Sequence, residues 1–137
     1  MDIVYALEPA LAAAEFREVL VASTLGLRRP VDDLARLDKM LRQADIIVTA
    51  RDSKKDGKKI VGVSRAVCDF AWCCYLSDLA VDETYQHKGI GKQLIAETHK
   101  AAGLNTMLLL VAAPAAEGYY PKIGMTHIPA CFVIPRA

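Results

Sequence analysis

The chain offers little to a membrane, a nucleic acid or an oxidising compartment. No apolar run reaches the roughly 20 residues that span a bilayer. The N-terminus carries Asp2 and Glu8 where a secretory leader would be basic and then apolar. Lys and Arg total 17 against 16 Asp and Glu, a formal net charge of +1, so there is no general electrostatic case for nucleic acid or an anionic membrane as partner. Cysteine is sparse, at 4 of 137 residues with Cys73 and Cys74 adjacent. That is no disulfide framework, and no Cys/His spacing resembles a zinc site, so no metal is expected. Repeats, low-complexity tracts and linkers are absent. What remains is a single reduced, cytoplasmic domain over residues 1–137, long enough for a real core and too short for two.

One stretch organises the rest. Tyr75 to Val81 reads as a strand, with Leu79 and Val81 on one face and Leu76, Asp78 and Ala80 on the other. A polar turn follows, and then Gly89 and Gly91 open a run whose apolar positions (Ile90, Leu94, Ile95, Ala101, Ala102) recur at helical spacing. Strand, glycine loop and helix N-terminus together make an anion site. Unpaired backbone N–H groups and the helix dipole converge there, and glycines let a phosphate approach. Lys88 and Lys92 flank the loop and add positive charge. A Walker loop is excluded, because Gln86 stands where its first glycine belongs and Gln93 where it needs Ser or Thr. The dinucleotide fingerprint fails at Leu94, the place of its third glycine.

Gln86-His87-Lys88-Gly89-Ile90-Gly91 does resemble the Q/R-x-x-G-x-G/A pattern of the GNAT-type N-acetyltransferase superfamily, with Leu79-Ala80-Val81 where that family carries the preceding strand. The resemblance implies acetyl-CoA as co-substrate. The backbone of Leu79, Ala80 and Val81 would then hold the pantetheine arm, and the loop Gln86, His87, Lys88, Gly89, Ile90, Gly91 and Lys92 the pyrophosphate.

The order of elements agrees with this. Ile3 to Leu7 reads as a first strand. Glu8-Pro9 suits the start of a helix that Gly26 ends, and Asp32 or Asp33 suits the N-cap of a second. Ile46–Ala50 and Ile60–Val67 form a hairpin around the charged turn at 54–58. After the central strand and helix, Thr106 to Val111 is a continuous apolar run, as in a strand buried on both faces. A helical stretch from Pro114 to Tyr120 and a last strand near Cys131 to Ile134 complete the chain. The expected fold is α/β (α+β): a mixed central sheet flanked by helices, in the order β-α-α-β-β-β-α-β-α-β of the acyl-CoA N-acyltransferase fold.

Ala116 to Met125 resembles the family's A-x-x-F-Y-x-x-x-G-F, which puts Tyr120 at the tyrosine that often acts as general acid. A phenol (pKa about 10) can hydrogen-bond a departing thiolate (thiol pKa about 8.5) and hand over its proton. Two departures stand out. Pro121 disfavours helical geometry at Tyr120, and Ala113 replaces an asparagine that many relatives use on the cofactor. For the base, Asp78 is the candidate, either as a carboxylate of raised pKa relaying a proton through water or as a structural partner of Arg65.

On the acceptor side, Phe70, Trp72 and Tyr75 are read as the lining of a pocket for an apolar or aromatic amine, or else as core, and Arg28 and Arg29 as partners for an acceptor carboxylate. Neither Cys73 nor Cys74 has a local histidine to activate it as a nucleophile. Only 13 residues follow Gly124, which implies a shortened terminal hairpin, an open acceptor side and an edge on which a homodimer could form. The expected activity is acetyl transfer to a primary amine by direct attack, on a small molecule or on a peptide or protein. The alternative is a non-catalytic acyl-CoA-binding or sensing module on the same scaffold.

Overall fold

The computed structural model describes all of residues 1–137. Its centre is a five-stranded sheet in the order β1-β2-β3-β4-β5, built from Ile3–Leu7, Ile46–Asp52, Lys59–Cys68, Cys73–Val81 and Met107–Leu109. The first three pairings are antiparallel and the β4–β5 pairing is parallel. Helices α1 (Ala13–Ala22) and α2 (Leu34–Arg42) cover one face, and α3 (Ile90–Ala102) covers the other. A one-turn helix α4 (Tyr119–Lys122) follows β5. No helix is long and apolar enough to cross a membrane.

Each face has its own core. Phe16, Val19, Leu20, Leu37 and Leu41 pack on Ile47, Val63 and Ala80, while Ile90, Leu94 and Ala102 pack on Val48, Val61, Ala66 and Cys74. Being covered on both faces, β2 and β3 are almost continuously buried. Gly62 lets α3 close on the sheet, since a Cβ there would meet Leu94 at 3.0 Å. The Ser64 and Thr98 hydroxyls, 2.7 Å apart, satisfy each other within that contact.

Several expected boundaries move. The first helix begins at Ala13, four residues after Pro9, and ends at Ala22. Ser23 stops it: its backbone turns extended, and its hydroxyl donates to the Leu20 carbonyl at 3.0 Å and accepts from the Leu25 N–H at 3.2 Å. Gly26 instead serves the 3-10 turn Thr24–Arg28 that follows, where a Cβ would meet the Leu20 carbonyl oxygen at 2.7 Å. Asp33, not Asp32, caps α2, accepting from the Arg36 N–H at 3.0 Å. The run Thr106–Val111 yields only a three-residue strand with exposed or half-exposed side chains. It is the edge of the sheet rather than a doubly buried strand. The expected strand at Cys131–Ile134 does not form. Residues 125–137 have no regular structure and are mostly exposed, with Phe132 at 94% and Ile134 at 96%. The element order therefore lacks its last β.

The single-face reading of β4 also changes. Arg65 pairs with Asp78 and Ala66 with Leu76, leaving Ser77 as a bulge. A bulge reverses which face the following residues take. Cys74 accordingly packs under α3 and Ala80 under α1 and α2, although the two have the same parity.

Candidate active site

The site grows from the way β4 and β5 part company. They pair only from Cys73–Met107 to Tyr75–Leu109. Beyond that, β4 runs on to Val81 while the segment after β5 leaves the sheet. A cleft of about 710 Å³ opens between them, with Leu76, Ser77, Leu79, Ala80 and Val81 on one wall and Leu110, Val111 and Ala113 on the other. Ligand clefts typically measure roughly 300–1,000 Å³. Past Tyr75 no strand pairs with this edge of β4, so its main-chain groups face the cleft, where an extended amide chain can bind as a strand would.

At the Val81 end the cleft meets the glycine loop. Gln86 Nε2 donates to the Val81 carbonyl at 3.1 Å and so ties the loop to the strand. His87 (φ 64°) and Gly89 (φ 80°) both take left-handed backbone, and Gly89 is the N-cap of α3. That conformation is costly for His87 and free for Gly89. The opening N–H groups of α3 lie beyond, with Gly91 bare at their centre and Lys92 lining the cleft. Across from them stands Tyr119. A Cβ on Gly91 would lie 2.7 Å from its hydroxyl oxygen. Burial raises the Tyr119 pKa, and the facing Lys92 backbone N–H offsets part of that rise.

Tyr119 and Tyr120 meet edge to face with ring centroids 5.2 Å apart, and both line the cleft. Burial, and to a lesser degree Tyr119, raises the Tyr120 pKa, so its phenol stays protonated at neutral pH. Pro121 does not prevent helical geometry at Tyr120. It sits in the first turn of α4, where its missing N–H costs nothing. Ala113 lines the cleft and offers no side-chain hydrogen bond.

Asp78 lies behind the cleft wall, fully buried and absent from the lining. One carboxylate oxygen accepts from Arg29 Nε and the other from Arg65 Nε. The two arginines also grip the bulge: Arg29 Nη2 donates to the Ser77 carbonyl at 2.8 Å, and Arg65 Nη2 bonds the Ser77 hydroxyl at 3.1 Å. This geometry is that of a structural ion cluster and not of a base facing an acceptor.

The far end of the cleft is walled by the turn after α1, through Ser23, Thr24, Leu25, Leu27, Arg28 and Arg29.

With this geometry in hand, comparison with known proteins is decisive about kinship. The profile of the acetyltransferase (GNAT) domain matches residues 43–125, more than half of the chain. The chain belongs to the GNAT acetyltransferase superfamily. It is 28% identical over 116 residues to an uncharacterized N-acetyltransferase of Pyropia yezoensis, a match covering 82% of this chain but only 64% of that relative. Among solved structures it resembles a GNAT-family acetyltransferase of Streptococcus pneumoniae, with a TM-score of 0.74 at 21% identity over 98% of this chain and 99% of the other. It also resembles an aminoglycoside acetyltransferase from an uncultured soil sample, with a TM-score of 0.65 at 22% identity over the full length of both. At such identities these two establish the GNAT fold and nothing finer.

Of the residues singled out in the sequence, this GNAT cleft brings together Leu79, Ala80, Val81, Gln86, His87, Gly89, Ile90, Gly91, Lys92, Arg28 and Tyr120. Lys88 is exposed and stays outside. Phe70, Trp72 and Tyr75, expected to line an acceptor pocket, do not line this cleft. They lie at the closed end of β4, away from the cleft, and are 53%, 78% and 41% exposed. The Trp72 carbonyl accepts from the Met107 N–H at 2.9 Å, so this end is where β5 joins the sheet. Cys74 is buried, which pushes its thiol up to about 12, and Asp69 raises that of Cys73, so neither is poised as a nucleophile.

Sequence reading missed Tyr85, Tyr119 and Ser77. Tyr85 backs the loop, its hydroxyl donating to buried Asp52 at 2.7 Å and its ring lining the cleft. A lone aromatic in the polar turn before Gln86 was the available signal. Arg29, read with Arg28 as a partner for an acceptor carboxylate, instead binds Asp78 and the Ser77 carbonyl, 49 and 48 residues away in the chain.

Proposed function

We propose that the chain transfers an acetyl group from acetyl-CoA to a primary amine. The observation that carries this is the run from the opened β4 edge into the glycine loop at the start of α3, which supplies a slot for an amide-bearing arm ending at an anion cradle. Both parts suit the cofactor: the cradle lacks a side chain at Gly91, and Lys92 adds charge beside it. Acetyl-CoA brings an activated acyl carbon, so that attack by a neutral amine forms the amide as the C–S bond breaks and a thiolate leaves. Tyr120, kept protonated by burial, donates a hydrogen bond to that developing thiolate, while the proton released by the amide nitrogen passes to solvent and solvent protonates the thiolate. The apolar walls exclude competing water.

A second reading, binding without turnover, draws on one observation: no aspartate or glutamate lines the cleft to accept the amine's proton. Calorimetric titration with acetyl-CoA and a free-thiol assay separate the two. Micromolar binding that is lost in Gly91→Glu, together with thiol release that falls in Tyr120→Phe, supports the transferase. Binding with no thiol release for any amine supports the binding module. No binding by folded wild type removes both.

A further inference from the structure

The charges around the cleft are one-sided. Its ionic side chains are Arg28, Arg29 and Lys92, and no carboxylate lines it. Asp78, between the lining residues Ser77 and Leu79, is sealed behind the wall and already shared by Arg29 and Arg65. Lys92 belongs to the phosphate end. Arg28 and Arg29 stand at the other, because Arg29 is fastened at Ser77, four residues along β4 from Val81 and about 13 Å away. Arg29 is fully engaged, and its Nη1 also donates to the Arg28 carbonyl at 2.8 Å. That bond fixes the backbone from which Arg28 projects, while the Arg28 guanidinium makes no hydrogen bond or ion pair of its own.

We propose that Arg28 is an anion-recognition residue and that the acceptor is an amine carrying a negatively charged group, carboxylate or phosphate. This rests on the acetyl-transfer reading. A guanidinium held at the rim of a low-dielectric cleft matches either anion in two-point geometry. A polycation would meet the unpaired Arg28 guanidinium with no lining carboxylate to offset it and is disfavoured. The same positive field lowers the pKa of the acceptor's ammonium, which makes the attacking free amine accessible without a lining carboxylate as base.

Matched acceptors test this: phenylalanine against phenethylamine, O-phosphoethanolamine against ethanolamine, and spermidine as the polycation, each followed by thiol release from acetyl-CoA. The wild type should favour the anionic member of at least one pair by about tenfold or more in kcat/KM, and the pair identifies the anion. Arg28→Ala should remove that preference through KM, and Arg28→Glu should reverse it toward spermidine. Arg28 is exposed, so both variants should fold, and calorimetry should return an unchanged acetyl-CoA affinity. Preference for the uncharged member of each pair, or for spermidine, overturns the proposal. So does a preference that survives Arg28→Ala, or the absence of thiol release with either anionic amine while acetyl-CoA still binds. Failure of acetyl-CoA to bind overturns instead the reading beneath it.

Discussion

Replacing Asp78 by asparagine distinguishes a structural ion cluster from a proton carrier. The substitution keeps the side chain's shape and removes its charge, leaving Arg29 and Arg65 facing a neutral amide. Arg65 cannot recover its hydration, because its side chain is only 10% exposed. Uncompensated buried charges of this kind cost about 3–5 kcal/mol. With the usual unfolding entropy per residue, that lowers Tm by about 10–17 °C for a chain of this length. Arg29→Met should cost less, roughly 1–2 kcal/mol, since Asp78 keeps Arg65 and the Arg29 side chain is 22% exposed. Differential scanning calorimetry gives both values, and thiol release at a temperature where every variant is folded gives the activity. The reasoning predicts that Asp78→Asn melts early and, once folded, loses activity only as far as the Ser77 bulge relaxes. An Asp78→Asn protein that melts within about 2 °C of wild type yet loses nearly all acetyl transfer would refute it and restore Asp78 as a base.

Two further outcomes are expected. Tyr119→Phe removes the hydroxyl that faces the Lys92 N–H at the start of α3, so acetyl-CoA should bind about 2–10-fold tighter by calorimetry. Weaker binding would mean that the hydroxyl itself holds the phosphate. Asp69 accepts from the N–H groups of Trp72, Ala71 and Cys73, which lower its pKa from 3.8 to about 2. A depressed folded-state pKa stabilises above the unfolded value, so the benefit is full above about pH 4 and fades as pH falls toward 2. The Tm gap between wild type and Asp69→Asn should close over that window, and a gap independent of pH would count against it.

The loop Gln86–Lys92 was legible because it is local. Glycine at a left-handed position, a strand before it and an amphipathic helix after it are all written within about 20 consecutive residues. The same holds for β2, β3 and α3, whose apolar patterns are strong. Hydrophobicity misled at Thr106–Val111, since an apolar run does not say whether it will lie inside the sheet or at its edge, and β5 pairs only with β4. Trp72 and Phe70 misled for a related reason, as chain proximity to the central strand does not reveal which of its ends opens.

By itself, then, the sequence determined the family, the order of most elements and the glycine loop at the start of α3, all of which depend on residues close together in the chain. Tertiary structure alone decided the fate of Asp78, the plug of Tyr119 against Gly91, the parting of β4 from β5 and the cationic far wall. Each of these joins groups distant in sequence, and the Ser77 bulge reverses the face on which they meet. Period-two alternation cannot record a reversal that one extra residue introduces.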